Sequence, residues 1–316
     1  MPTSLRRLLR HETILAALVV VALVVLATQS ERFFTAANIL NQGRLMAEAG
    51  LVALTMTFVI ITGGIDLSVG SILGLAAILV GVLWKNLGLA LPVAMVLAVG
   101  AGGLAGLVNG LIVTRFKVPP LIATLATLAL YRGLAEGISQ SRSVRGYPEW
   151  FYALGQGDAA GMPVQVWILL VATVAAAGIL GLTTFGRATY AVGANETAAR
   201  FSGVAVDRTR LLIYTASGLM SGLAAVIFVS RVTTTRSDMG SGLELDVITA
   251  VVLGGTSIFG GKGTVVGTVL GLVLIQALRS GLSLAGVKGD GTIVVIGLVL
   301  IGAILVSNVF GRDGDG

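Results

Sequence analysis

Long apolar runs separated by short polar stretches set the pattern of this chain. A helix needs about 20 mostly apolar residues to cross a bilayer, within a working range of roughly 17 to 25. By that rule candidate spans lie at 13–29, 45–62, 67–84, 88–113, 119–136, 164–183, 209–230, 246–258, 264–283 and 291–308, about ten in all. The run at 246–258 is too short to cross alone and reads as a broken or re-entrant segment. Lipid tolerates such backbone only where protein or a water-filled cavity covers it. The predicted fold class is an all-α integral membrane protein, a polytopic bundle with broken or re-entrant helices, forming a single transmembrane domain over residues 1–316.

The first run, Ile14 to Ala27, follows Arg6, Arg7, Arg10 and His11 and has the outline of a signal peptide. No clear small-x-small cleavage site follows, and the later spans need a starting orientation, so a retained helix is expected. If ten spans alternate, the N-terminal arginines, Arg115, Lys117, the stretch from Arg187 through Arg210, Lys262 and Arg312 share one side. The positive-inside rule makes that side the cytoplasm and puts both termini there. The opposite loops are mixed in sign: Glu31, Arg32 and Arg44, then Lys85, then Ser139 to Gly161, then Arg231 to Asp246, then Lys288 with Asp290.

Composition narrows the classes. Of 316 residues, 55% are hydrophobic and 11% charged, and the mean hydropathy is +0.96, which excludes a soluble domain. The formal charge of +6 falls singly or in small clusters between apolar runs rather than in a stripe, so it signals topology and not nucleic acid. There is no cysteine and His11 has no partner histidine, so no metal site and no cofactor is expected. No catalytic triad and no converging carboxylates are visible, so no catalytic residue is assigned. A phosphate-binding G-x-x-x-x-G-K-[ST] loop is also missing, and "GGKGT" at Gly260 to Thr264 lacks its spacing. Active transport would draw its energy from another chain.

Glycine is abundant, at 44 residues, and much of it lies inside the spans, as at Gly100, Gly102, Gly103, Gly106, Gly218 and Gly222. Small residues let helix backbones approach closely in lipid. An internal echo is visible between "VIITGGIDLSVGSILGLAA" (Val59 to Ala77) and "VVLGGTSIFGGKGTVVGTVLGLV" (Val251 to Val273). Repeated broken helices are the sequence pointer to a transporter built from repeats.

Two stretches carry candidate chemistry. Behind the Gly63-Gly64 pair, Asp66 is a lone acid in apolar surroundings. It either caps a helix starting at Leu67, with Ser68 as a second polar neighbour, or belongs to an ion or solute path. Partner acids at mid-span are not apparent, since Glu48 lies near the start of the second span and Glu136 at the end of the fifth. Asn195 to Ser202 reads as a short amphipathic helix ended by Gly203, with Glu196 and Arg200 on its polar face. It either lies on lipid or docks in a groove of a soluble partner.

"TGGIDLSVGS", "GANETAARFSGVAVDRTRL" and "VVLGGTSIFGGKGT" together resemble the permease subunits of bacterial ATP-binding-cassette importers of the ribose, rhamnose and autoinducer-2 type, over nearly the whole chain and in the same order. The resemblance implies a bacterial inner-membrane permease that works as a pair, with a second copy or a homologous permease, two cytoplasmic ATPases and a periplasmic solute-binding protein. It implies that Gly193 to Val204, within a docking region of about 187–208, meets the ATPase, with Asn195, Glu196, Ala198, Ala199, Arg200 and Gly203 as the coupling residues. It implies that Gly63, Gly64, Asp66, Ser68 and Gly70 form a signature helix break. "RSVRGYPEW" and "SRVTTTRSDMGSGLELDVITAVVLGG" look most like the rhamnose and autoinducer-2 branches, and solute-binding residues are not assigned.

The outer-loop charges Arg142, Arg145, Arg231, Arg236, Asp238, Glu244 and Asp246 suit salt-sensitive docking of a binding protein, or are solvated loop surface. Sparse charge within the spans fits a neutral, sugar-like cargo. The rival reading is a secondary carrier or facilitator working without ATP. A membrane-bound enzyme would need a convergent set of catalytic groups.

Overall fold

The computed structural model describes residues 3–29 and 32–287, with single positions between 289 and 301. The expected last span at 291–308 therefore lies largely outside the described residues, as do Lys288, Asp290 and Arg312. The element order is α1 (Thr3–Gln29), α2 (Ala36–Ile61), α3 (Val69–Gly81), which continues as a π-helical turn (Val82–Asn86), α4 (Leu91–Thr114), α5 (Pro120–Ser139), β1 (Val144–Arg145), α6 (Glu149–Gln156), β2 (Asp158–Ala159), β3 (Met162–Pro163), α7 (Val164–Leu182), α8 (Thr184–Ala194), α9 (Glu196–Phe201), α10 (Val206–Val232), β4 (Thr234–Thr235), α11 (Leu243–Leu253) and α12 (Val265–Leu284). The only strands among the described residues pair two by two, β1 with β4 and β2 with β3. The protein is an all-α polytopic membrane bundle.

Among the described residues seven helices are long and apolar enough to cross a membrane: α2, α3 with its π-turn, α4, α5, α7, α10 and α12. The expected span at 13–29 is the apolar part of α1, and its apolar stretch, Leu15–Thr28, is shorter than a full crossing. That helix packs along α12, with Leu15 and Val19 against Leu274 and Leu26 against Ala277. The run at 246–258 is the short helix α11 followed by a break, as its length required.

Position in the bundle follows from which faces are apolar. The apolar window of α2 is 78% buried and that of α7 only 22%, so α2 is the central helix and α7 faces lipid. Val171, Val174 and Leu170 are exposed on α7, and Ile122 and Leu125 on α5. Two stretches read as loops are structured. Residues 139–161 hold α6 and strands β1 and β2, and the part of the coupling region before Asn195 is the helix α8.

Among the described residues the most extensive helix contact is that of α4 with α10. A Cβ on Gly102 or Gly106 would collide with the backbone of Gly218, Gly222 or Tyr214, and one on Gly218 with the carbonyl of Gly102. The spacing of four residues on each helix puts these glycines on one face. Gly103 meets Leu219, whereas a Cβ on Gly100 would meet nothing. Gly218→Val is expected to lower stability by about 1–3 kcal/mol, the usual range for overpacking. Gly100→Ala should leave it unchanged, with thermal unfolding in detergent as the measurement; equal behaviour of the two variants would refute the contact.

Candidate functional site

The signature break lies between α2 and α3. The N–H groups of Thr62, Gly63 and Gly64 donate to the carbonyls of Phe58, Ile60 and Val59, and Gly63 takes φ +75°. This is a Schellman-type stop, in which glycine supplies the left-handed residue. The second break closes in the same way: Gly254, Gly255 and Thr256 donate to Ala250, Val252 and Val251, with Gly255 at φ +87°. The sequence echo is thus also an echo of backbone geometry. The same closure ends α9 at Gly203, so it is a shared local solution and does not by itself establish duplication.

Asp66 is fully buried. The N–H and the hydroxyl of Ser68 donate to its Oδ1 at 3.0 and 2.6 Å, and the Ser217 hydroxyl on α10 donates to Oδ2 at 3.1 Å. Asn109 on α4 donates to the Ser68 hydroxyl oxygen at 2.7 Å, and the Tyr131 hydroxyl on α5 lies 3.2 Å from Asn109 Oδ1. The carboxylate therefore holds a polar junction of four elements. The helix begins at Val69, two residues later than expected, because Leu67 and Ser68 form the turn that Asp66 closes. Gly64 leaves room for the Tyr214 hydroxyl, and Gly70 lets α3 pass against the Gly240 carbonyl and Glu244.

The residues expected to couple to the ATPase lie on α9 and at its two ends. Asn195 is its N-cap, accepting from the Ala198 N–H at 2.9 Å, and Gly203 at φ +83° ends it. Ala199 is buried in a small apolar cluster with Val192 and Val206, whereas Phe201 is 89% exposed. Charges fasten the base: Glu196 pairs with Arg210 at 2.7 Å and with Arg200 at 3.1 Å, Arg200 with Asp207 at 2.9 Å, and Asp207 with Lys117 at 2.9 Å. Partial burial works to raise the Glu196 carboxyl, but Arg210 and Arg200 outweigh it and hold its pKa below the usual range. Arg200, exposed at the surface, is held further toward its charged form by bonds to Asp207 and Glu196.

The two sequence motifs meet. Arg210 Nη2 donates to the Thr62 carbonyl at 3.3 Å, at the end of α2. The Gly261 N–H donates to the Ile61 carbonyl at 2.9 Å, Tyr190 of α8 donates to the Gly263 carbonyl at 2.7 Å, and Gly193 is wedged against Ile61 and Gly261. Arg210, Asp207 and Lys117 were missed by sequence reasoning. Their signal was the need of Glu196 and Arg200 for counter-charges within reach.

Two expectations are corrected. Glu48, expected near the start of its span, lies at the middle of α2 because that helix begins at Ala36, and there it is buried and paired with Arg231 at 2.7 Å. Arg231 and Asp246 are not free outer-loop charges: the first ends α10 and pairs with Glu48, and the second sits in α11 and pairs with Arg279 of α12. By contrast Arg236 and Asp238 pair with each other at the surface.

An all-helical bundle with lipid-facing sides and broken helices over buried polar seams is the build of a membrane transport protein. The chain belongs to the family described as branched-chain amino acid transport system / permease component, which matches residues 36–305. It is 41% identical over 264 residues to the ribose import permease protein RbsC of Bacillus subtilis (strain 168), covering 83% of this chain and 82% of that one. RbsC of Escherichia coli (strain K12) is 39% identical over 283 residues, 87% of this chain and 86% of its own. The autoinducer 2 import system permease protein LsrD of Escherichia coli O9:H4 (strain HS) is 36% identical over 277 residues, 86% of this chain and 84% of its own. No solved structure matches.

Asp66→Asn keeps an oxygen for Ser68 and is expected to fold with little loss of stability. Asp66→Leu leaves buried hydroxyls without an acceptor and should cost about 1–3 kcal/mol. Thermal unfolding measures both, and equal stability of the two variants would contradict the junction.

Proposed function

We propose that this chain is the permease subunit of an ATP-driven importer of a neutral, sugar-like solute in the bacterial inner membrane. It forms one permease domain of about ten spanning or re-entrant segments, with both termini cytoplasmic. Its partners are a cytoplasmic ATP-binding-cassette ATPase, a second permease and a periplasmic solute-binding protein. Hydrolysis takes place on the ATPase.

The observation that carries the reading is α9, a short helix fastened by charges at its base and presenting Phe201 outward. An exposed aromatic on a rigidly held helix suits docking into a groove of a partner. Movement of that helix reaches the bundle through Glu196, Arg210 and the Thr62 carbonyl, at the point where α2 stops. The family supports a transport permease, and the relatives named above support a sugar or sugar-like cargo, with ribose or autoinducer-2 favoured over rhamnose as the solute.

Glu196→Arg sets three cations together and Phe201→Ala removes the protruding ring. Both variants are expected to insert and fold, yet to lose stimulated ATP hydrolysis in the assembled complex by roughly tenfold or more, within the range of a coupling free energy between sites. Full stimulation in both would overturn the docking assignment.

A further inference from the structure

An apolar groove of about 360 Å³ runs between α1, α2, α7 and α12 at the end of the bundle opposite α9. The helix directions place it there. It is lined by the N-terminal parts of α2 and α7 and the C-terminal parts of α1 and α12, whereas the break beside α8 lies at the far end of α2. Leu23 lines it from α1, Phe33 from the loop that follows, Val166 from α7, and Val273 and Ala277 from α12. A Cβ on Gly43 would meet the Val166 side chain at 2.8 Å, so α2 and α7 touch within it.

Four polar side chains also border the groove, and their donors are spent along one seam. Asn38 donates to the Phe33 carbonyl at 2.8 Å and to the Ser280 hydroxyl at 3.2 Å. Gln42 donates to Asn38 at 3.0 Å, and Gln276 donates to Gln42. A spacing of four residues puts Asn38 and Gln42 on one face of α2, and Gln276 and Ser280 on one face of α12. The same four side chains border a larger polar cavity of about 520 Å³ between α2, α10, α11 and α12. The seam is therefore a partition, polar toward that cavity and bordered by apolar wall on the groove side.

The groove opens toward lipid. Phe34 and Ile39, on its lining, are more than half exposed, and the flanking helices carry exposed Val21 and Val24 on α1 and Leu170 and Val171 on α7. Trp167, near the start of α7, donates its indole N–H to the Ala159 carbonyl at 2.9 Å, and tryptophan is enriched at the membrane–water interface. The groove thus begins at interface level beside Pro163 and reaches into the hydrocarbon zone at Leu23 and Val273. An apolar gap excludes water, and left empty it forfeits the dispersion contacts of its lining. One turn of helix with its side chains fills on the order of 400–600 Å³, so a helix can cross the mouth but cannot enter. A flexible apolar chain can enter, and the surrounding bilayer supplies one.

We propose that this groove holds one acyl chain of a phospholipid from the leaflet opposite α9, bound as a resident lipid. The chain lies along Phe33, Met46 and Val273 and covers the lipid side of the amide seam, with its headgroup at the level of Trp167. Seam and lipid together then separate the polar cavity from the hydrocarbon. The proposal goes beyond the importer reading and does not depend on it.

The full chain, delipidated in detergent, is titrated with dioleoylphosphatidylethanolamine and followed by native mass spectrometry. One lipid per chain is expected to persist under activation that strips the others. Ile39→Trp fills the mouth and is expected to weaken that binding by about tenfold or more, as lost apolar contact does. Val171→Trp, on the lipid-facing surface outside the groove, should leave it unchanged. Absence of a persisting lipid on the unsubstituted chain, or equal binding by the two variants, would overturn the proposal. Because the chain has no cysteine, Ile39→Cys can also carry a single benzophenone label. Photolysis in membranes is expected to capture phospholipid, and capture of a second copy or of the segment at 291–308 would overturn the proposal by showing the mouth closed to lipid. Neither readout involves uptake, so failure here leaves the importer reading standing.

Discussion

A helix that stops inside a membrane protein leaves backbone groups that lipid cannot satisfy, so every break must be closed by the protein itself. The stop of α2 at Ile61 is the constraint on which the rest of this structure depends. The carbonyls of Phe58, Val59 and Ile60 accept within the Schellman turn, the Ile61 carbonyl accepts from Gly261, and the Thr62 carbonyl accepts from Arg210. Asp66 then restarts the chain as α3 and is itself satisfied by Ser68 and Ser217. The groups that close this one break come from α10 and the Gly260 to Gly263 loop, with Gly193 of α8 packed against it. These elements cannot move apart without exposing a buried polar group.

Glycine makes the closure geometrically possible. The α4 and α10 backbones touch at Gly102, Gly106, Gly218 and Gly222, which brings Asn109 and Ser217 to the Asp66 junction from neighbouring helices. In lipid, hydrophobicity offers little drive for helices to associate, so close packing and buried hydrogen bonds define the arrangement. The central helix α2 then has polar work at both ends: Asn38 and Gln42 near its start and the bonded break at its finish. A single rigid element between two polar sites is a simple physical means for one to sense the other.

Much of this was legible in the sequence. The apolar runs located the long helices to within a few residues, apart from the starts of α1 and α2, because the bilayer fixes the length and polarity of what crosses it. The short α9, its Asn195 cap and its Gly203 stop were equally visible, since capping is a local code. Pairings across the chain were not. Glu48 meets Arg231 from 183 positions away, and only packing shows that an acid at the middle of one helix and an arginine at the end of another share a space. The helix α8 was read as loop because only one of its buried positions, Gly186, Thr189 and Val192, is strongly apolar, which gives no hydrophobic run. The type of contact made by Gly102 and Gly218 could be inferred from composition, but the partner of each could not.

The central claim is that the end of α2 joins the docking helix to the bundle. Its most direct test is the stimulation of ATP hydrolysis by solute-loaded binding protein in a complex carrying Arg210→Gln. The account predicts normal assembly with the ATPase and a loss of stimulation of about tenfold or more, as expected when a coupling contact between two sites is cut. Stimulation equal to that of the unsubstituted complex would show that the motion travels by another route.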